Sequence, residues 1–212
     1  VVLGYGGYEV KPGFLNKLIR FDTLHIAMQY LGLALFGMPY MGVGRNLSYR
    51  KSLFYRNKGF ISHYRIPSGD DDLFINQVSS RKNTAVVATP EGITLSEPKE
   101  TFGEWFRQKR RHLTTGSLYK TQHKVVLSLY LITQWLYFAL GILLLSWLFH
   151  WEIVAGVMFF RLITQIIVIK KSMKRLGERN LLLFSPLLEI IMMIINPLIA
   201  FSNLIVKQKA WR

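Results

Sequence analysis

VVLSLYLITQWLYFALGILLLSWLF, residues 125 to 149, runs for 25 positions without a charged side chain. A helix needs about 20 such residues to cross the hydrocarbon core of a bilayer, so this stretch spans and divides the chain. Residues 1 to 124 mix charge, glycine and short apolar runs, whereas long apolar stretches dominate from Val125 onward. The boundary falls near Lys124. After a short HWE connection, IVAGVMFFRLITQIIVI, residues 153 to 169, forms a shorter second span with Arg161 at its middle. LLLFSPLLEIIMMIINPLIAFSNLIV, residues 181 to 206, is long enough for a third, but Pro186, Glu189 and the Asn196-Pro197 pair can break it into a re-entrant or interfacial element.

The formal net charge is +15, from 27 Lys and Arg against 12 Asp and Glu. Arg107, Lys109, Arg110, Arg111, Lys120 and Lys124 precede the first span and KKSMKRLGER, residues 170 to 179, follows the second, while HWE carries no cation. Basic flanks stay cytoplasmic, so both should face the cytoplasm in a multi-pass protein of the cell inner (plasma) membrane. The terminal KQKAWR fits this less well, because a full third crossing would put it outside. The cations cluster beside apolar spans and among Trp105, Phe106, Tyr119 and Trp211. That pattern suits anionic lipid and interfacial anchoring, with the bilayer rather than nucleic acid as partner. Absence of cysteine excludes disulfide and thiolate-metal chemistry. The chain opens without Met or a signal-like pattern on VVLGYGGYEV, a β-rich run ending in turn glycines, and so is expected to begin inside a larger protein.

FLNKLIRFDTLHIAMQYLGLALF, residues 14 to 36, has apolar residues at helical spacing. Asp22, His25 and Gln29 argue for a buried or membrane-surface helix rather than a span, stopped by Gly37 and Pro39. NTAVVATP, residues 83 to 90, reads as a buried strand, and LFINQVSSRK before it as a helix started by aspartates that favour the helix dipole. Strands and helices together give an α/β fold, with too few strands here for a complete sheet.

GDDDLFIN, residues 69 to 76, concentrates a quarter of the acids of this basic chain. Three acids in line are either a solvated helix cap or a chemical group. Upstream lies GVGRNLSYRKSLF, residues 42 to 54, whose glycines permit close approach and whose Arg45, Asn46, Arg50 and Lys51 are donors. Downstream, WFRQKRRHL, residues 105 to 113, reads as helix, with Gln108, Arg111 and His112 one turn apart and able to converge on one ligand. Amide, guanidinium and imidazole donors suit a diphosphate, or equally lipid head groups at an interfacial helix over residues 100 to 123.

The order GVGRNLSYRKSLF, GDDDLFIN, QKRRH and then spans resembles the C-terminal half of a membrane-bound family 2 glycosyltransferase, the inverting GT-A enzymes that include cellulose, chitin and hyaluronan synthases. The resemblance covers nearly the whole chain. It implies the C-terminal part of a GT-A domain over residues 1 to 124, then two to three transmembrane helices. It also implies a nucleotide-sugar donor and a lipid-linked or polysaccharide acceptor for a hexosyltransferase-type activity, with the fragment inactive alone. In the family the second acid of the pair is the general base. Aligning Gly69-Asp70-Asp71 with GDD makes Asp71 that residue, and places Asn76 on a family Asn, whereas the pair Asp71-Asp72 would nominate Asp72. Gln108 and Arg111 match Q-x-x-R-W, which holds donor diphosphate and acceptor. His112 stands where the family has Trp, which weakens processive synthesis as a reading and leaves single-sugar transfer open.

Displacement at an anomeric carbon needs a base for the acceptor proton, and the departing diphosphate needs cations. The family's Mg²⁺ or Mn²⁺ is held by a D-x-D motif upstream of these residues, so the metal ligands are expected mostly outside this chain, although Asp70-Asp71-Asp72 formally fits the pattern. This reading requires Asp71 and Arg111 to border one pocket. SEPK, residues 96 to 99, is given no chemistry. Arg161 and Glu189 are expected to pair across helices, or to help a lipid or glycan pass. His25, His63, His123 and His150 lack metal-ligand spacing and read as structural or interfacial.

Overall fold

The computed structural model describes residues 1–64, 66 and 68–205, so the terminal KQKAWR cations and Trp211 lie outside the described residues. The N-terminal run makes two short strands, β1 (Val2–Gly4) and β2 (Gly6–Tyr8), with Gly6 and Gly7 inside the second rather than in a turn. β1 lies between β3 (Leu47–Ser48), antiparallel to it, and β4 (Ala85–Val87), parallel to it; β2 pairs in parallel with β5 (Thr94–Ser96). The expected strand near residue 85 exists but is not buried. It borders the described sheet, and period-two alternation turns only Val86 inward while Ala85 and Val87 face out.

The long apolar helix α1 (Phe14–Leu35) is buried rather than laid on a membrane surface. Leu18, Ile19, Phe21, Leu24, Ala27 and Tyr30 are almost inaccessible, and the Tyr30 hydroxyl donates to Gly4 O at 2.6 Å, which fixes the helix on β1. Backbone bonds from Gly37 to Ala34 and from Met38 to Leu33 close it, with Gly37 in the left-handed region at φ 98°. Then follow α2 (Lys51–Arg56), α3 (Asp70–Val78) and α4 (Phe102–Leu113); Thr101 caps α4 by accepting from Glu104 N at 3.3 Å.

Helices α5 (Thr121–Ser146), α6 (Trp151–Arg175) and α7 (Ser185–Ile205) are each long and apolar enough to cross a membrane. α5 and α6 form an antiparallel hairpin with outward-facing apolar surfaces, as lipid requires. Between them and α7 lies an intramembrane ion pair. Arg161 donates to both oxygens of Glu189, at 2.8 and 2.5 Å, and Gln134 adds a bond at 3.0 Å.

α1 joins this region to the strands. The guanidinium of Arg20 holds Glu178, just beyond α6, and the Tyr5 hydroxyl donates to the same carboxylate at 2.7 Å. Both charged side chains are almost fully buried. Removing one partner of such a pair leaves an uncompensated charge.

α7 has a third of its apolar window buried, far more than α5 or α6. Ser185, Leu188, Glu189, Met192 and Ile199 form its inward face, and Leu187, Ile190, Ile194, Leu198 and Phe201 look outward. Its start follows the Glu178 loop that α1 anchors. Its last turn is tied to α4: Arg110 donates to Asn203 Oδ1 at 3.0 Å and to Ser202 O at 3.2 Å, and Asn203 donates to Arg110 O at 2.8 Å. α4 leads by a short link into α5, so the last turn of α7 is tied to the element that precedes α5, and its start follows the loop that ends α6. Residues 185–205 form one continuous helix through Pro197, so Pro186, Glu189 and the Asn196-Pro197 pair do not break it.

The natural absence of cysteine allows a direct check. An impermeant maleimide should label Ile205→Cys from the same side as Ser117→Cys, and His150→Cys from the opposite side; opposite labelling of the first two would make α7 a crossing. Glu178→Ala should lower unfolding free energy by about 3–5 kcal/mol in detergent denaturation, and Glu178→Gln by less.

Candidate active site

A cavity of about 470 Å³ opens between α1, the Gly42–Arg45 loop, the start of α3 and one face of α4. Its acidic wall depends on Gly69, which precedes α3 at φ 88°. A Cβ there would lie 2.2 Å from Thr115 Cγ2 and 2.5 Å from Asp72 Oδ1, so backbone conformation and space both require glycine. The chain then enters α3 with Asp70, Asp71 and Asp72 in the first turn, where the helix dipole favours negative charge.

The three carboxylates have different surroundings. Asp70 is exposed at the margin. Asp71 is half-buried: its Oδ2 accepts from Gly44 N at 2.5 Å and its Oδ1 from Asp72 N at 2.9 Å. A Cβ on Gly44 would come within 3.1 Å of Asp71 Oδ2, so this glycine allows the loop to approach the acid. Asp72 is buried, and its Oδ2 accepts from the Thr115 hydroxyl at 2.6 Å and the Tyr119 hydroxyl at 2.5 Å. Desolvation pushes its carboxyl up to about 6, against those two hydrogen bonds, with the Asp71 charge adding to the rise.

The basic wall is α4. Gln108, Arg111 and His112 line the cavity, and the Gln108 amide donates to the Tyr8 hydroxyl at 3.3 Å. His112 is exposed by area, yet desolvation by the surrounding protein depresses its imidazole to about 4; Arg111 and Lys109 follow in size and Asp71 opposes. It is therefore a neutral ring at physiological pH. Arg45 completes the wall. Its guanidinium stacks 4.1 Å from the Tyr8 ring centre and donates to Gly7 O at 2.8 Å.

Of the residues singled out in the sequence, Asp70, Asp71, Asp72, Arg45, Gln108, Arg111 and His112 thus meet at one cavity, with Asp71 and Arg111 bordering it together. Asn46 does not line it. Its amide donates to Tyr5 O at 2.9 Å and Gly92 O at 2.7 Å and braces the strands from behind. Arg50 lines a separate surface cavity beside Val1, and Asn76 bonds Tyr40 O at 2.7 Å, as a structural tie.

Sequence reasoning passed over Lys109 and the cavity role of Asp22. Lys109 Nζ donates to both Asp22 oxygens, at 2.8 and 2.7 Å, with both side chains nearly buried. The signal was there: an acid inside the apolar α1 pattern needs a cationic partner once buried. Among the described residues no group of three or more His, Asp or Glu side chains converges as a metal site.

Fold and cavity together define a membrane protein with a ligand cavity divided between an acidic and a basic wall. The chain belongs to the family 2 glycosyltransferases: the family model described as Glycosyl transferase family group 2 matches residues 6–202. No curated protein and no solved structure matches it. Membership makes it a transferase of glycosyl groups.

Asp72 gives a pH test. Its folded-state value lies above the ordinary 3.8, so its contribution to stability is complete below about 4 and lost as pH climbs through about 6. Asp72→Asn removes the titration. Its thermal midpoint should gain on wild type as pH is raised from about 4 to about 7 and level off above, and a pH-independent difference would place the buried carboxyl in an ordinary environment.

Proposed function

We propose that this chain carries the acceptor and base part of an inverting GT-A glycosyltransferase. It moves a hexosyl group from a nucleoside-diphosphate sugar to a hydroxyl of a lipid-linked or polysaccharide acceptor. Residues 1–124 form the catalytic part at the cytoplasmic face of the plasma membrane, and residues 125–212 hold it in the bilayer. The observation that carries the reading is the meeting of Asp71 and Arg111, distant in sequence, at one cavity with Gln108 and His112 beside them.

Asp71 takes the proton of the acceptor hydroxyl as its oxygen bonds to the anomeric carbon. On the opposite face the bond from that carbon to the diphosphate oxygen breaks, so configuration inverts. The diphosphate leaves with added negative charge, which the Arg111 and Arg45 guanidinium groups, the Gln108 amide and an N–H of the neutral His112 ring stabilise. Gly44 N and Asp72 N hold the base in place, one on each oxygen, leaving one lone pair on each for the acceptor. Asp72 is held by Thr115 and Tyr119, which favours Asp71 over it as the base.

A divalent metal of the Mg²⁺ or Mn²⁺ kind is not matched by the residues present. Asp71 accepts from two backbone amides, Asp72 Oδ2 accepts from two hydroxyls while its Oδ1 is buried without a partner, and no group of three or more His, Asp or Glu side chains converges among the described residues. We assign its ligands to residues outside this chain and derive no step through it.

In the intact membrane protein, Asp71→Asn should lower sugar transfer about 10²–10⁴-fold, read as nucleoside-diphosphate release from a panel of nucleotide sugars, without weakening donor binding. Unchanged turnover would leave Asp71 as a helix cap and favour a non-catalytic membrane module that binds anionic lipid or a partner protein.

A further inference from the structure

A second cavity, of about 500 Å³, lies among the membrane helices and takes no part in the reaction above. α1 is the wall between the two. It turns Ile19, Asp22, Thr23 and Ile26 to the candidate active site, and Phe21, Leu24, His25 and Met28 to this one. The remaining sides come from α5, α6 and Glu189 of α7. Val157, Phe160 and Val168 on its rim are exposed apolar side chains of α6, so the cavity opens where lipid would be.

Its floor is polar. Arg161 lies nine residues before Lys170, where charge resumes along α6. At 1.5 Å per residue that is roughly 13 Å along α6 from the nearest cation of that helix. Glu189 is nearly buried, but the Arg161 side chain remains 31% accessible. Three of its N–H groups are engaged, two with Glu189 and one with Gln165 Oε1 at 2.7 Å. Guanidinium has five. The two others and the Gln165 amide hydrogens are donors at a cavity that hydrocarbon tails cannot satisfy.

The charge balance selects among occupants. Glu189 has already neutralised Arg161, so a phosphate or carboxylate would add an uncompensated charge to a cavity whose rim is apolar. Hydroxyl groups add none. Their oxygens accept from Arg161 and Gln165, their hydrogens can donate to the remaining lone pairs of Glu189, and the Tyr137 and Phe160 rings flank the space. We propose that this cavity binds a membrane amphiphile with an uncharged, hydroxyl-rich head, a ligand of the glycolipid class. Binding does not depend on which residue acts as base or on which sugar is transferred.

The test uses the full chain in phosphatidylcholine nanodiscs and a monoglucosyl diacylglycerol with a photoactivatable acyl chain. Cross-links should map to residues 21–28 and 157–169. A roughly fivefold excess of unlabelled glycolipid should cut labelling about fivefold, while the same concentration of phosphatidylglycerol with the same tails, or of methyl glucoside without tails, should not. Gln165→Leu leaves the Arg161–Glu189 pair intact and should weaken the preference for the glycosyl head. Val157→Trp fills the cavity and should reduce labelling itself; the thermal midpoint reports whether it folds, and Gln165→Leu decides alone if it does not. Equal competition by phosphatidylglycerol, labelling spread evenly over α5 and α6, or a Gln165→Leu variant with undiminished head preference would each overturn the proposal. Because the readout is labelling, these outcomes stand apart from any loss of sugar transfer.

Discussion

Two buried ion pairs on α1 hold the molecule together. Arg20 meets Glu178 beyond α6, and Asp22, two positions on, meets Lys109 in α4. A charge taken out of water is costly unless its partner sits in bonding geometry, so each pair constrains the element it reaches. One fixes the membrane hairpin to α1. The other fixes α4, and with it the direction of Gln108 and Arg111 on either side of Lys109. Breaking either contact by removing one partner would leave a charge stranded in the interior, so each pair disfavours positions of its element that part the charges.

The division of labour among three adjacent aspartates follows from the same local physics. They share a helix turn, yet Asp70 is solvated, Asp71 faces a backbone amide and the cavity, and Asp72 is enclosed by two hydroxyls. Sequence adjacency implies nothing about equivalence here, because a helix turns each successive side chain by about 100° into a different environment. In a chain of net charge +15, the acidic turn opposes a basic face across a narrow space.

Much of this was legible in the sequence, for identifiable reasons. The hairpin of α5 and α6 is written in composition, since lipid demands apolar surface over a fixed length. The order of glycine-rich loop, acids and Gln108-x-x-Arg111 marked the segments that meet at the cavity, because helical spacing already puts Gln108, Arg111 and His112 on one face. Sequence could not separate Arg45 from Asn46: both are donors beside glycines, and only the tertiary path sends one to the cavity and the other behind the strands. Lys109 was hidden among five polar neighbours, as its burial depends on Asp22, 87 residues away. The strand at Ala85–Val87 looked buried because its apolar run was continuous, and only the sheet order reveals a border position.

α1 stands between two cavities. One side touches the charged cleft and the other a recess among the long apolar helices, across the width of a single helix, about 10 Å. Neither side is free to drift in evolution: a polar change toward lipid, or an apolar one toward the cleft, would disturb a neighbour already committed. The strictest selection in this protein should therefore fall on a helix that supplies no reacting group.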